Sequence, residues 1–293
     1  MTRPPPMVSR ACVTLLGTPA RSADRLKAGS RIAVYRTALH DGRNVVVKLY
    51  APTARRNAFT EARAIRAAAT AVPVPEVLGR GTMSDEGATA LIMSDLGTLT
   101  LGAAVQAGHI PRARALRDLG GLLARLHRAT VAPSIPRRPF FDTVAALTRH
   151  CPPDLLGEIA PALAVLADVP DFAPTVWCHG DLHFDNVVLS GPARTPHLVD
   201  FTDAAPGRRE SDLAHAVVMT AAHSPWDRSA LTGAYSLAWN DTRLAAWAVI
   251  HTVSSLVHAA PGTDHALWSS RLADLGRQTP HLFRPVPKKG TLR

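Results

Sequence analysis

The first part of the chain alternates short apolar runs with turn residues, a pattern that predicts a small β-sheet. Residues 31–39 and 44–50 are rich in β-branched and aromatic side chains, and the Asp41-Gly42 pair between them is a strong hairpin signal. Residues 57–70 are rich in helix formers and stop before Pro73, which predicts a helix. Two more strands are predicted over 74–78 and 88–93. Residues 1–95 are therefore expected to form an antiparallel sheet with one inserted helix.

From residue 111 onward, the apolar positions follow helical spacing. Leu116, Leu119, Leu123 and Leu126 share one face of a predicted helix, and residues 155–168 and 243–260 are also predicted to be helical. Between these helices, 186–190 and 197–201 are short apolar β runs joined by a Gly/Pro turn, which predicts a hairpin. The expected fold class is α+β, with residues 96–293 forming a mainly helical second part.

Composition agrees with a globular protein and adds an expectation about its compartment. A length of 293 residues suits one large domain or two modest ones, and 46% hydrophobic content with 5% aromatic residues suits a helix-rich protein. Disorder is expected only at the ends, in the first ~20 and last ~10 residues. Three widely spaced cysteines, no secretory signal and no sufficiently apolar span predict a cytoplasmic protein without a membrane segment.

The net charge of +10 is unevenly distributed along the chain. Residues 1–60 hold 11 Lys/Arg against 2 Asp/Glu, whereas residues 150–283 hold 7 against 14. A basic chain invites a nucleic-acid-binding hypothesis, but no RNP, KH or zinc-finger signature accompanies the charge. The two halves are therefore expected to differ in electrostatic potential, and no nucleic-acid partner is predicted.

The segment WCHGDLHFDN at residues 177–186 concentrates candidate metal and proton ligands. Phosphoryl transfer needs a carboxylate beside the acceptor hydroxyl, and an amide oxygen with a second carboxylate to hold magnesium against the phosphates. Asp181, Asn186 and Asp200 can fill these three roles. The predicted hairpin would bring Asn186 and Asp200 to the same end, since its two strands are antiparallel.

The pattern H-G-D-x-H-x-x-N at His179–Asn186, with Asp200-Phe201 and Asp212-Leu213-Ala214, resembles the aminoglycoside phosphotransferase family, which also includes choline-kinase-like proteins. The resemblance implies a bilobal protein-kinase-like fold that binds Mg²⁺ and ATP or GTP. It also implies Asp181 as the base, Asn186 and Asp200 as metal ligands, and His179 and Asp212 as supports of the catalytic loop. Two departures occur: Thr202 stands where kinases usually have Gly, and Phe184-Asp185 replaces the Pro-Gly that is common in the family. The implied activity is phosphorylation of a small-molecule hydroxyl.

Candidate nucleotide-binding residues precede this motif in the expected order. Lys48 lies within a run of valines, and Glu61 follows on the predicted helix, as do the phosphate-binding lysine and its glutamate in kinases. Gly29 and Ser30 are the candidates for a short phosphate-covering loop. Residues 91–97 resemble the family's hinge between lobes, with Met93, Ser94 and Leu96 as candidates near the nucleobase. His127 is predicted to be a packed structural histidine.

The sequence does not identify the acceptor, the hydroxyl compound that would be phosphorylated. An aminoglycoside-like antibiotic is the first expectation, which would make this an antibiotic-resistance protein; a choline-like alcohol, homoserine, a sugar and a macrolide are the alternatives. Acidic residues after the motif suggest an acceptor-binding region for a cation. The candidates there are His183, Asp185, Asp203 and Glu210, with Asp227 and Asp241 further along.

The sequence leaves three rival functions open. A metallohydrolase could use the alternating His179, Asp181, His183 and Asp185 as ligands. A protein kinase is disfavoured because only 11 residues separate Asp200 from Asp212, too few for an activation segment. A non-enzymatic scaffold with a kinase fold, or a basic nucleic-acid-binding module, is the third. The oligomeric state is not predicted.

Overall fold

The computed structural model describes residues 2–28, 31–83, 87–130, 140–168 and 175–284. Its first part contains α1 (Pro6–Leu16), β1 (Ala20–Ala28), β2 (Ile32–Leu39), β3 (Asn44–Tyr50), α2 (Arg55–Ala68), β4 (Val77–Thr82) and β5 (Thr89–Ser94). The second part begins with α3 (Leu101–Gln106), α4 (Arg112–Arg128), α5 (Phe140–Thr148), α6 (Pro153–Glu158), α7 (Ala160–Ala167) and β6 (Val176–Cys178). It continues with β7 (Val187–Ser190), β8 (Thr195–Leu198), β9 (Ala205–Gly207), α8 (Arg209–Met219), α9 (Pro225–Tyr235), α10 (Asp241–His258) and α11 (Thr263–Gln278).

Strands β1 to β5 form an antiparallel sheet in the order β1-β2-β3-β5-β4. The predicted hairpin is present, because β2 and β3 pair antiparallel with Ala38 opposite Asn44. The first strand of the second predicted pair starts three residues later than expected, at Val77. Pro75 supplies no backbone N–H for a ladder, which accounts for the later start.

The central strand β3 contributes side chains to two hydrophobic clusters, because successive side chains point to opposite faces of a sheet. Val45, Val47 and Leu49 belong to a cluster shared with α1 and β5, whereas Tyr50 belongs to the main core shared with α2. Lys48 therefore lies on the face that looks toward α2.

Helix α1 and strand β1 were not predicted from the sequence, which favoured a disordered N-terminus. Val8, Ala11 and Cys12 of α1 are fully buried against the outer face of the sheet. The helix comes close to β4, where Leu15 lies against Gly79 and Gly81. The last ~10 residues, for which disorder was also expected, include 285–293, outside the described residues.

The second part is mainly helical, as predicted. Helices α4 and α10 cover the predicted leucine-rich helix and the segment 243–260, whereas the predicted helix over 155–168 is divided into α6 and α7 around Ile159. The second hairpin is formed by β7 and β8, which pair antiparallel with Val187 opposite Leu198. Both strands are shorter than predicted, and Asn186 and Asp200 lie just outside them. No described helix has the length and apolar character required to cross a membrane.

Helices α4 and α9 approach closely at Gly120. A Cβ at Gly120 would collide with the backbone carbonyl of Leu231, whereas at the adjacent Gly121 the nearest group is the end of Arg125, 3.9 Å away. We expect Gly120→Ala to lower the free energy of unfolding by about 1–3 kcal/mol. The matched control Gly121→Ala should raise it by about 0.5–1 kcal/mol, because Ala favours a helix over Gly. Chemical denaturation measures both; equal effects of the two variants would contradict this packing.

Candidate active site

A buried ion pair joins the sheet to the end of the second hairpin. Lys48 Nζ lies 2.6 Å from Glu61 Oε1 on α2 and 2.8 Å from Asp200 Oδ1, two residues after β8. Lys48 is 5% exposed and Glu61 is fully buried. Burial disfavours the charged lysine, but the two carboxylates outweigh this effect and raise the pKa of Lys48. The predicted Lys48 and Glu61 therefore meet each other and also the predicted metal ligand Asp200.

Two hydroxyl groups satisfy the buried carboxylate of Glu61. The Tyr50 hydroxyl donates to Glu61 Oε2, and the Thr202 hydroxyl lies 3.0 Å from the same oxygen and 2.7 Å from Asp200 Oδ1. Burial, followed by the neighbouring Glu61, raises the pKa of Tyr50. A buried ion pair needs such additional hydrogen bonds to offset its desolvation.

Neither hydroxyl was predicted, although the sequence contains a signal for each. Tyr50 is two residues after Lys48, so the strand period places both side chains on one face. Thr202 was noted only as a departure from the glycine usual in kinases. Unlike glycine, Thr202 has a hydroxyl group, which lies within hydrogen-bonding distance of both Asp200 and Glu61.

The loop at residues 179–183, called the catalytic loop below for its expected role, is held by Asp212, near the start of α8. Its carboxylate accepts hydrogen bonds from His179 N at 2.6 Å and Gly180 N at 2.9 Å, and it lies 3.2 Å from His127 Nε2. Burial opposes its ionisation, but His127, His179 and the Gly180 N–H outweigh burial and lower the pKa of Asp212 to about 2. Asp212 therefore remains a carboxylate, which is the form that accepts both loop N–H groups.

Gly180 is required by the backbone of this loop. Its φ is +83°, and a Cβ there would collide with the carbonyl of Asp203. A side chain at this position would therefore be strained twice, by conformation and by contact. The close approach brings the loop against the turn that follows Asp200.

His179 ties the loop to the hairpin from the other side. Its Nε2 lies 3.0 Å from the carbonyl of Val199, its Nδ1 accepts from Asp181 N at 3.4 Å, and its ring packs on Phe201. The side chain is fully buried. These contacts fit the predicted role of His179 as a support of the loop. The predicted structural His127 is also buried, and its Nδ1 meets the Tyr235 hydroxyl at 2.6 Å.

Asp181 and Asn186 are in direct contact. Asn186 Nδ2 donates to the Asp181 backbone carbonyl at 2.7 Å and to its Oδ2 at 3.1 Å. Burial raises the pKa of Asp181, but His183, His215 and His179 together outweigh burial, so that the pKa falls below its usual value. Asp181 is thus an ionised, partly exposed carboxylate, a form that can accept a proton.

The donor set offered by Asn186 and Asp200 fits a magnesium ion. Val199 N donates to Asn186 O at 3.0 Å, which continues the hairpin beyond its strands and brings the Asn186 backbone next to Asp200. Asp200 itself has φ +62°, at the start of a tight turn. With Asn186 Nδ2 directed at Asp181, the amide oxygen is the ligand atom that Asn186 can offer. An amide oxygen and a carboxylate are hard oxygen donors of the kind that magnesium prefers.

The predicted hinge is anchored at both of its ends. Ser94 N and Oγ both hydrogen-bond to the backbone of Glu76, and Asp95 forms an ion pair with Arg36 at 2.6 Å. Further along, Leu189 N donates to Leu99 O at 2.8 Å, so that the second hairpin is attached to the segment leading into α3. The candidates Met93 and Leu96 lie on this stretch. The predicted phosphate loop, Gly29 and Ser30, lies outside the described residues.

The candidate acceptor residues are engaged with the protein to different extents. Asp185 accepts from the Thr100 hydroxyl at 3.1 Å, Glu210 accepts from Asn240 N at 3.2 Å, and Asp203 is exposed. The more distant carboxylates bind locally: Asp227 to Arg112 and Asp241 to the indole of Trp239. His183 lies near Asp181, with its Nε2 at 3.7 Å from Asp181 Oδ2.

A second imidazole near Asp181 was missed by sequence reasoning. His215 Nε2 lies 3.7 Å from Asp181 Oδ1. His215 follows Asp212 by three residues on α8, so the helical period places both on the side of the catalytic loop. That spacing is the signal that could have found it.

The metallohydrolase alternative predicted that His179, Asp181, His183 and Asp185 would act together as ligands. Within the described residues, a set of His, Cys and Asp atoms spaced for one ion occurs instead at His127, Cys178 and Asp212. Both nitrogens of His127 already face hydrogen-bond partners, and Asp212 holds the catalytic loop. This buried set therefore serves as a brace for the loop.

Residues 24–250 match the phosphotransferase enzyme family. None of the curated proteins matches the chain significantly.

Many solved structures share the fold. A choline/ethanolamine kinase family protein from Mesorhizobium loti superposes with a TM-score of 0.63 at 17% identity, covering 89% of this chain and 91% of that one. The GDP complex of an aminoglycoside 2'-phosphotransferase IIIa mutant gives 0.65 at 14% identity, covering 92% and 96%. Macrolide 2'-phosphotransferase type I gives 0.64 at 17% identity, covering 93% and 99%. The predicted α+β, kinase-like fold is confirmed.

Proposed function

The chain belongs to the phosphotransferase enzyme family, and we propose that it transfers the terminal phosphoryl group of ATP or GTP to a hydroxyl group of a small molecule, with Asp181 as the catalytic carboxylate. The observation that carries this proposal is the joining of Lys48, Glu61 and Asp200 in one ion-pair cluster, close in the fold to a braced loop bearing an ionised Asp181. These are the groups that phosphoryl transfer requires.

Each residue has a distinct task in this proposal. Lys48 binds the phosphates of the donor, and Glu61 holds the lysine in place. Asn186 and Asp200 would hold Mg²⁺, which when bound neutralises phosphate charge. Asp181 accepts or orients the proton of the acceptor hydroxyl, and Asn186 fixes its side chain through the contact at 3.1 Å. Catalysis then rests on positioning and electrostatics rather than on covalent chemistry by the protein.

The nucleotide donor is proposed to bind along β3, the hinge and the segment after β8. Met93, Ser94 and Leu96 would line the nucleobase end, and Gly29 and Ser30 the phosphate end. GDP occupies a structure of the same fold at 14% identity. Calorimetric titration with ATP, GTP and their diphosphates, with and without Mg²⁺, would identify the donor.

The acceptor is proposed to be a cationic hydroxyl compound such as an aminoglycoside. The support is the charge of residues 150–283, which contain 14 Asp/Glu and only 7 Lys/Arg, although the whole chain has a net charge of +10. Several candidate carboxylates already bind protein groups, among them Asp185, Asp227 and Asp241. Attraction for a cation would therefore come from the summed field of the second part more than from one dedicated carboxylate.

If the summed charge of the second part attracts the acceptor, the KM of charged acceptors should depend on salt concentration and that of neutral acceptors should not. Exposed charges are screened beyond about 8 Å at 0.15 M salt but act over about 30 Å at 0.01 M. We expect KM for amine-bearing acceptors to rise several-fold between these two ionic strengths, whereas KM for amine-free sugars and alcohols of similar size stays constant. Mass spectrometry of the phosphorylated acceptor gives the rates.

Two outcomes of that panel would be decisive. Equal or better turnover of neutral acceptors, with no salt dependence of KM, would contradict the cationic acceptor and leave phosphoryl transfer intact. A sugar as the preferred acceptor would then name the alternative class. Nucleotide consumption without any phosphorylated product would contradict the transferase function itself.

A further inference from the structure

The two oxygens of the Asp181 carboxylate face different nitrogen groups. Oδ2 lies 3.1 Å from Asn186 Nδ2 and 3.7 Å from His183 Nε2, both from the catalytic loop and the turn after it. Oδ1 lies 3.7 Å from His215 Nε2, which comes from helix α8. His215 therefore approaches the catalytic carboxylate from a separate element, on the oxygen that Asn186 does not contact.

The His215 ring is held in this position by α10. Its ring meets that of His251 edge-on, with centroids 5.0 Å apart, and Trp247 stacks on His251 with centroids 5.6 Å apart. His251 Nε2 in turn lies 2.9 Å from the backbone carbonyl of Ser211, one turn before His215 on α8. This packing keeps the imidazole directed at Asp181.

The surroundings also favour a proton on the nitrogen that faces Asp181. His215 Nδ1 is buried without a hydrogen-bond partner in the described part of the chain. Burial lowers the pKa of His215, and the nearby Asp181, Asp212 and Leu182 backbone only partly oppose that effect. A neutral imidazole carries one N–H, and the carboxylate beside Nε2 favours its placement there.

We propose that His215 is a positioning residue for catalysis, whose Nε2–H hydrogen-bonds to Asp181 Oδ1 and fixes the orientation of the carboxylate toward the acceptor hydroxyl. The inference rests on the proposed role of Asp181. A shift of about 0.7–1.0 Å brings the 3.7 Å separation into hydrogen-bonding range. With Asn186 on Oδ2 and His215 on Oδ1, the carboxylate is held at both oxygens and cannot rotate away from the acceptor.

Three substitutions separate the hydrogen bond from packing. His215→Leu removes both nitrogens, His215→Asn offers a donor near the position of Nδ1, and His215→Gln offers one near Nε2. We expect kcat to fall about 10- to 100-fold in the Leu and Asn variants, since misplacement by about 1 Å can cost that much. His215→Gln should recover most of the loss, and acceptor KM and nucleotide Kd should change less than twofold in all three.

The matched control is His223→Leu. His223 is another partly buried histidine with a pKa lowered by burial, but it lies beyond the opposite end of α8 from the catalytic loop. Its replacement should leave kcat unchanged. Thermal unfolding shows whether each variant is folded. If His215→Leu is unfolded, the kcat values of His215→Gln and His215→Asn, compared at equal midpoint temperatures of unfolding, show whether a donor at the Nε2 position matters.

Several results would overturn the inference. Unchanged kcat in the Asn and Leu variants, or an equal loss in Gln and Leu, would show that the Nε2 donor has no role. A raised acceptor KM with unchanged kcat would show that the imidazole binds the acceptor instead. In an Asp181→Asn background, His215→Leu should have no further effect, and an additive loss would contradict action through Asp181. Full activity of the single variant Asp181→Asn would instead refute the proposed role of Asp181 in the reaction.

Discussion

Replacement of Asp181 by Asn is expected to reduce kcat by at least about 100-fold, the typical loss for a positioned acid or base. The amide has nearly the same shape as the carboxylate and can still accept from Asn186 Nδ2, which lies at 3.1 Å in the native protein. It cannot accept the proton of the acceptor hydroxyl. Nucleotide affinity should persist, because Lys48 and Asp200, which are proposed to bind the nucleotide phosphates and Mg²⁺, are unchanged. Steady-state kinetics and calorimetry measure the two quantities.

The control for this variant is Asp264→Asn, which changes an exposed carboxylate at the start of α11. It should retain native kcat. Near-normal turnover by both Asp181→Asn and Asp181→Ala would remove Asp181 from the mechanism. Loss of nucleotide binding in Asp181→Asn would show instead that the carboxylate belongs to the donor site.

Replacement of Lys48 by Met is expected to have two separable effects. Glu61 is fully buried and would lose its charged partner, so the free energy of unfolding should fall by about 3–5 kcal/mol. The affinity for the nucleotide should fall as well, because the phosphates lose a cation. Chemical denaturation reports the first effect and calorimetric titration the second.

A double variant distinguishes these effects. In Lys48→Met with Glu61→Gln, the buried charge is removed together with its partner, and the amide oxygen can still accept from Tyr50 and Thr202. We expect this double variant to recover much of the lost stability but none of the nucleotide affinity. If Lys48→Met binds the nucleotide as tightly as the native protein, the donor site lies elsewhere.

The parts of the fold that were predictable are those whose local pattern agrees with their tertiary contacts. The Asp41-Gly42 turn fixes the β2–β3 hairpin, and the leucines of α4 face the core as their spacing predicts. Strand β1 lacks such a pattern. It has the sequence ARSADRLKA and pairs with β2 at the sheet edge through main-chain hydrogen bonds, which leave little trace in side-chain type.

Helix α1 was not predictable for a related reason. Its Pro-rich start resembles a disordered tail, and its apolar residues gain burial only because the outer face of the sheet is present to receive them. The two glycines of β4, Gly79 and Gly81, make room for Leu15. A contact of this kind depends on residues far apart in sequence, and no local periodicity reports it.

The candidate site was predictable where one short motif carries it, and less so where elements meet. Asp181 and Asn186 come from one continuous pattern and Asp212 from a second short motif further along, and the structure brings them together. Thr202 and His215 act across elements: the first bridges Asp200 to a helix of the other lobe, and the second reaches Asp181 from α8. Their contacts follow from the packing of β3, α2 and α8 around the loop, which the sequence does not display.

The central claim is phosphoryl transfer that depends on Asp181, and the stoichiometry of the reaction tests it most directly. The native protein is incubated with Mg²⁺, a nucleoside triphosphate labelled with ¹⁸O in its terminal phosphate, and the best acceptor of the panel; mass spectrometry then counts nucleoside diphosphate and phosphorylated acceptor. The account predicts one labelled, phosphorylated acceptor for each diphosphate formed, and almost none of either with Asp181→Asn. Diphosphate without phosphorylated acceptor, or equal product from Asp181→Asn, would contradict it.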